Sequence, residues 1–257
     1  MFFKRKNNGP VAVSFAQRSE VGRVRTENQD SCGKFPEASW SLAEPQGLLF
    51  VVADGMGGHM RGREASALAV QTLQEDYFAN PSPTIAARLQ RAFHSANARI
   101  YEYAQSFADD HVMGTTCSAL LLKDAMAYIA HVGDSRIYRI NRDGIWQLTH
   151  DHTEAADLVQ RGILTEHEAQ NHPERSMLTR ALGIELTLEV DLRESIPIQI
   201  GDYFLLCTDG LVKVDAQEIK KAVIKQAPEQ ACEQLIQLAL ARGGHDNVTV
   251  QVARVKA

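Results

Sequence analysis

Two kinds of hydrophobic pattern run along this chain and divide it into strand-forming and helix-forming stretches. Residues 11–16 (VAVSFA) alternate weakly, while 48–53 (LLFVVA) form a short, continuously apolar run. Such a run with β-branched content suits a strand buried on both faces. The spacing then lengthens. Ala65, Ala69, Leu73 and Tyr77 recur at steps of four, and Ile85, Leu89, Phe93, Ala96, Ile100 and Tyr103 mark one apolar stripe behind a capping Thr84. Both stretches predict helices. From 117 to 149 strands return (CSALLL, AMAYIAHV, SRIYRI, IWQLT), divided by polar turns such as Asp143-Gly144. Residues 150–182 are polar and weakly periodic, which predicts a partly helical insertion. Strands are predicted again at 187–193 and 203–208. Helices are predicted from Asp215, with Glu218 completing a capping-box pattern, and from Pro228. Gly243-Gly244 ends the latter, and VTVQV at 248–252 alternates as a closing strand.

Strands in hairpin succession, with paired helices between them, indicate one α+β layered domain over 11–257. A βαβ alternation is absent, so a doubly wound parallel sheet is disfavoured. Residues 1–10, with the basic run Lys4, Arg5, Lys6, read as a flexible N-terminal tail. At 257 residues and 44% hydrophobic content, the chain can bury a core that needs no staples. A formal net charge of -5 gives it no general attraction to nucleic acid or anionic lipid. Cys32, Cys117, Cys207 and Cys232 are scattered, without metal-ligand spacing, as in a reduced intracellular protein. Phe2-Phe3 is too short for a leader core, and no stretch approaches the ~20 apolar residues of a membrane helix. A cytoplasmic location is expected.

Charge becomes informative at three Asp-Gly pairs. Asp143-Gly144 lies between alternating strands and reads as a turn. Asp54-Gly55 and Asp209-Gly210 instead follow the apolar runs LLFVVA and YFLLCT, which places each carboxylate at the end of a buried strand. A carboxylate there is costly unless a positive charge neutralises it. Metal binding and a structural ion pair both remain open at this point. Asp30, closing RTENQD, and Asp246, in GHDN, supply two more carboxylates from distant parts of the chain, and the Gly55 carbonyl could join them. Hard cations such as Mg²⁺ and Mn²⁺ favour such oxygens. His150 and His152 straddle Asp151 with no second pair, so zinc spacing is missing.

The segments RTENQD (25–30), VVADGMGGH (51–59), GTT (114–116), AHVGDSRIYR (130–139), THDHT (149–153), LTRALG (178–183), CTDGL (207–211) and GGHDNVTV (243–250) together resemble the ordered motifs of the metal-dependent serine/threonine protein phosphatases, the PPM or type 2C family. The Met-Gly-Gly-His form resembles bacterial members. The likeness runs from about residue 11 to 255.

The resemblance implies a four-layer α-β-β-α sandwich of two mostly antiparallel sheets flanked by helices, with two Mn²⁺ or Mg²⁺ ions at one edge. It implies that Asp54 bridges both ions, that the Gly55 carbonyl binds the second, and that Asp209 and Asp246 complete the first. Asp30 anchors the cluster through water, and Asp134 matches the ligand of a third ion, a turn residue being the alternative. A water shared by the two ions then attacks a phosphoserine or phosphothreonine in line. Arg25 matches the phosphate-binding arginine. His59 is the candidate general acid for the leaving group. His131 is expected to be a satisfied core residue, and His152 to order the loop after IWQLT. Residues 153–182 match the family's flap, where Arg175, Ser176 and Arg180 could touch a phosphopeptide or could simply be solvated. Gln29 stands where many relatives carry Glu, which implies retained activity with weaker metal affinity. Thr208 replaces a frequent Ser. The implied partners are phosphorylated proteins, a bacterial Ser/Thr kinase or its targets among them, and the chain is expected to be a monomer. A phosphodiesterase or nuclease using the same metals, and a non-catalytic module on the same fold, are the competing readings. The lack of a basic stripe argues against the first, and the complete aspartate set against the second.

Overall fold

The computed structural model describes residues 11–58, 60–79, 84–107 and 112–257; the expected tail at 1–10 lies outside them. In chain order, β1 (Ala12–Glu20), β2 (Asp30–Phe35) and β3 (Leu48–Gly57) precede helices α1 (Arg61–Ala79) and α2 (Ile85–Gln105). A strand succession follows: β4 (Met113–Thr115), β5 (Cys117–Lys123), β6 (Met126–Val132), β7 (Arg136–Ile140) and β8 (Ile145–Gln147). Two short helices, α3 (Glu154–Gln160) and α4 (Glu166–Gln170), occupy the polar insertion. The remainder comprises β9 (Asp191–Pro197), β10 (Tyr203–Cys207), α5 (Ala216–Val223), α6 (Pro228–Ala241) and β11 (Val248–Lys256).

The strands form two sheets, ordered β1-β11-β10-β7-β8 and β2-β3-β5-β6-β9, with β4 extending β3. Neighbouring strands pair antiparallel throughout. The pleat of β3 explains how they stack. Leu49, Val51 and Ala53 pack with Ala65, Leu73, Leu89 and Phe93 of α1 and α2. Leu48, Phe50 and Val52, on the opposite face, pack with Phe204, Leu206 and Val255 of the other sheet. The far face of that second sheet, with Leu205 and Val250, packs against Leu235 and Ile236 of α6. Four layers result, α-β-β-α, as the sequence implied. A strand with both faces covered must be apolar at every position, hence the unbroken run. Each such buried side chain contributes about 1.5–3 kcal/mol.

Helix ends follow local chemistry. Thr84 caps α2, its hydroxyl accepting from the Ala87 N–H at 3.1 Å, and Pro228 opens α6 from its first turn. Asp215 caps α5 by accepting from the Gln217 N–H at 2.8 Å, but no capping box forms there, because Glu218 pairs with Arg242 instead. The strand expected at 187–193 begins only at Asp191. Its partner β6 sets the limit, the register running from His131 opposite Asp191 to Met126 opposite Pro197. Beneath the β7–β8 hairpin, buried Asp202 accepts from Arg139 Nη2 at 2.6 Å, Asn141 Nδ2 at 2.9 Å and the Gln199 N–H at 2.8 Å.

Candidate active site

Strands from both sheets stop at one edge of the sandwich, and their ends carry the aspartates. Asp30 opens β2 directly opposite Asp54 of β3. Asp209 follows β10 and begins a 3-10 turn, Asp209–Leu211. Asp246 lies just ahead of β11, and Asp134 in the turn between β6 and β7. Asp54 feels the charges of Asp30, Asp209, Asp134 and Asp246. Five carboxylates widely separated in sequence thus converge.

The backbone that presents them is fixed by polar clamps. The Asp54 N–H donates to Thr116 Oγ1 at 2.9 Å, while its carbonyl accepts from the Thr116 N–H and the Thr115 hydroxyl, both at 2.9 Å. A Cβ on Gly55 would lie 1.9 Å from the Gly62 carbonyl oxygen, so only glycine lets β3 pass the start of α1 here. Asn247, buried beside Asp246, donates to the carbonyls of Val21 (2.9 Å) and Glu27 (2.8 Å) and accepts from the Gln29 N–H (2.8 Å). It ties the 21–29 loop to the site. Asp30 Oδ2 accepts from Thr208 Oγ1 at 2.9 Å and Thr249 Oγ1 at 2.7 Å, so threonine at 208 does the hydrogen bonding a serine would. Sequence reasoning missed Asn247 and Thr249, although both lie within the GGHDNVTV motif.

Burial first, then mutual repulsion, pushes these acids up. Asp54 is held well above the carboxylate range. Asp134 is raised to about 8 and Asp209 to about 6. Asp30 reaches about 7, burial outweighing its two hydroxyl donors. Asp30 Oδ1 and Asp209 Oδ1 are buried with no hydrogen-bond partner. Acceptor oxygens that lack donors, in a cluster whose charges repel, are suited to a hard divalent cation. Among the described residues no group of three or more His, Cys, Asp or Glu side chains is placed to hold one ion by itself. An open arrangement agrees with small hard cations, which keep several waters and take few protein ligands.

Arg25 edges the cluster. Its Nη2 donates to Asp246 Oδ2 at 2.7 Å, and this bond leads the factors holding the guanidinium above its ordinary pKa. The side chain is 56% exposed, leaving the fork accessible from the cleft. That cleft has a volume of about 810 Å³, and Arg25, Gln29, Asp54, Asp134, Asp209 and Asp246 contribute to its lining. Ser176 and Arg180 also line it, whereas Arg175 does not. Arg180 is steered by Asp191, to which its Nη1 donates at 2.9 Å. The Gln29 amide lies against Gly62 and within 3.4 Å of the Gly57 carbonyl. His59 lies outside the described residues.

His131 is buried as expected, bonded to Ser118 Oγ (2.8 Å) and the His150 carbonyl (2.9 Å). Burial pushes its pKa down to about 4. His152 accepts the Gly133 N–H at Nδ1 (3.0 Å), which leaves Nε2 to donate to Asp191 at 3.2 Å. Its own carbonyl accepts the Thr179 N–H at 2.9 Å, tying the 153–182 segment to the Asp134 turn. The four cysteines are free thiols. Among the described residues no helix is long and apolar enough to cross a membrane.

An acidic, arginine-edged cleft thus lies at the rim of a four-layer sandwich. A family model described as protein phosphatase 2C matches residues 22–243, and the chain belongs to that family. A serine/threonine phosphatase, stp, of Listeria innocua is 36% identical over 241 residues, covering 91% of this chain and 92% of the relative. The crystal structure of serine/threonine phosphatase Stp1 from Staphylococcus aureus superposes with a TM-score of 0.86 at 32% identity, covering 100% of both chains. The catalytic domain of the phosphatase PstP in complex with two manganese ions superposes with a TM-score of 0.80 at 33% identity, covering 96% of this chain and 100% of that one.

Proposed function

We propose that this chain hydrolyses phosphoserine and phosphothreonine in proteins, with Asp54, the Gly55 carbonyl, Asp209 and Asp246 holding two Mn²⁺ or Mg²⁺ ions. Asp30 anchors the cluster, and Asp134 serves a third ion. When bound, such cations acidify water for attack at phosphorus and offset charge on the phosphoryl oxygens. The chain's own residues do the rest. Asp246 fixes one edge of the Arg25 guanidinium, so its remaining N–H groups are aimed at phosphate oxygens in the cleft. Thr208 and Thr249 hold Asp30 in place, and the Thr115 and Thr116 clamp holds Asp54. The proton for the departing alkoxide is assigned to His59, on the strength of its motif. The observation that carries the reading is the carboxylate cluster itself, whose buried oxygens lack donors and whose charges repel.

The test is hydrolysis of an aryl phosphate and a phosphothreonine peptide, with Mn²⁺ or with chelator. Both reactions are expected with Mn²⁺ only and are lost in Asp209→Ala. Activity that persists in chelator or in that variant overturns the metal assignment. Preferential cleavage of a bis-aryl phosphate diester moves the reading to phosphodiester chemistry.

Finer assignments belong to the same reading. The substrates include a Ser/Thr kinase or its targets, the chain works as a cytoplasmic monomer, and residues 153–182 act as a flap on one domain spanning 11–257. Sedimentation of the purified protein and dephosphorylation of an autophosphorylated kinase test the first two.

A further inference from the structure

One wall of the cleft has a chemistry that phosphate hydrolysis does not use. Val112 is 57% exposed and Ile184 41% exposed, yet both line the cavity that holds the aspartates. Met56 shares the lining. A Cβ built on Gly114 would meet Ile184 Cδ1 at 2.6 Å and Met56 Cε at 2.8 Å, so the two side-chain tips converge over bare backbone. Met56 and Gly114 are register partners in the β3–β4 pair. The missing Cβ of Gly114 therefore lets Met56 and Ile184 pack together as one apolar surface. Single exposed apolar residues need no explanation, but several lining one acidic cleft do.

Their position relative to the chemistry follows from strand geometry. Met56 lies two residues beyond Asp54 on β3. Residues two apart point to the same face and are separated by ~7 Å. A substrate whose phosphate reaches Asp54 therefore passes a neighbouring side chain over Met56 and Ile184. We propose that the wall formed by Met56, Val112 and Ile184 is a subsite for a large aliphatic or aromatic residue within one or two positions of the phosphorylated residue. The proposal rests on the phosphatase reading above and names the substrate class within it: phosphopeptides with an apolar flank.

The experiment compares kcat/KM for phosphothreonine peptides carrying Leu or Ala at each of the two positions either side, using the intact chain with Mn²⁺. At one position the Leu-to-Ala ratio is expected to be on the order of 10, the discrimination an apolar pocket of this kind supplies. Ile184→Ser and Val112→Ser are surface changes, and in at least one of them the ratio should fall below about 2. A ratio near unity at all four positions overturns the subsite, as does retention of the full ratio in both variants. Hydrolysis of an aryl phosphate by the unaltered chain is run alongside. Its absence would strike the phosphatase reading itself, whereas its presence with a flat peptide profile strikes only the apolar wall.

Discussion

Arg25 and Asp246 are joined by a 2.7 Å hydrogen bond between Nη2 and Oδ2, so a cation and a carboxylate at the edge of the cleft are oriented as one unit. Arg25→Ala is expected to lower kcat/KM on the order of 10²-fold for both aryl phosphate and phosphopeptide. Arg25→Lys should recover part of the loss, because a point charge replaces a planar fork. The side chain is more than half exposed, so the melting temperature should move by no more than about 2 °C. Steady-state kinetics and thermal melts check both statements.

Asp54 separates stability from function. It is buried among like charges, so Asp54→Asn removes repulsion while deleting the carboxylate proposed to hold the ions. In chelator the variant should melt a few degrees higher than the parent, about 2–4 °C for each kcal/mol of relief. With Mn²⁺ it should lose activity, and calorimetry should find manganese binding weakened. A lower melting temperature in chelator would contradict the repulsion argument.

The same acids set a pH dependence. An unfolded aspartate ionises near 3.9. Folded, metal-free Asp134 stays protonated up to about 8, with burial as the leading cause. Between these values the folded chain binds more protons, so this contribution to stability is lost as pH rises. Melted in chelator, Asp134→Asn should gain on the parent progressively from pH 5 to pH 8. A gap that stays constant or narrows over that range refutes the assignment.

Gly55→Ala places a methyl group against the Gly62 carbonyl, where a Cβ has only 1.9 Å. Backbone cannot yield there as a flexible side chain would. Overpacking of this kind costs about 1–3 kcal/mol, and the displaced 55 carbonyl should reduce manganese affinity. Isothermal titration and melting curves measure the two effects.

Asp202 serves as a control remote from the chemistry. Asp202→Ala strands Arg139 without its buried partner, a change expected to cost about 3–5 kcal/mol. Turnover measured well below the new melting temperature should match the parent. A kcat that falls along with stability would mean the β7–β8 hairpin feeds into the site.

Much of this was legible from residue order, and the exceptions have physical causes. β3 and β10 read plainly because a doubly covered strand must be apolar throughout. β2 (DSCGKF) gave no signal, since a strand that opens on a site carboxylate and runs along a sheet edge carries polar residues. β9 was expected four residues early, because its start is set by the end of β6, not by its own composition. Glu218 matched a local capping pattern but found a tertiary partner in Arg242. At the site Asp54 and Asp209 announced themselves as charges at the ends of apolar runs, whereas Asp30, Asp134 and Asp246 stood out only through the motifs around them. Their supports did not: Thr115, Thr116, Thr249 and Asn247 are ordinary polar residues whose role exists only once distant strands meet.

The pairing of β11 between β1 and β10 has a consequence for synthesis. β1 is made early but has no neighbour in its sheet until β11 emerges, and Asp246, two positions ahead of β11, arrives with it. A nascent chain can assemble the β2-β3-β5 hairpins and their covering helices well before then. Asp246, by contrast, and with it the hydrogen bond that orients Arg25, can join the cleft only after the other four aspartates have been synthesised.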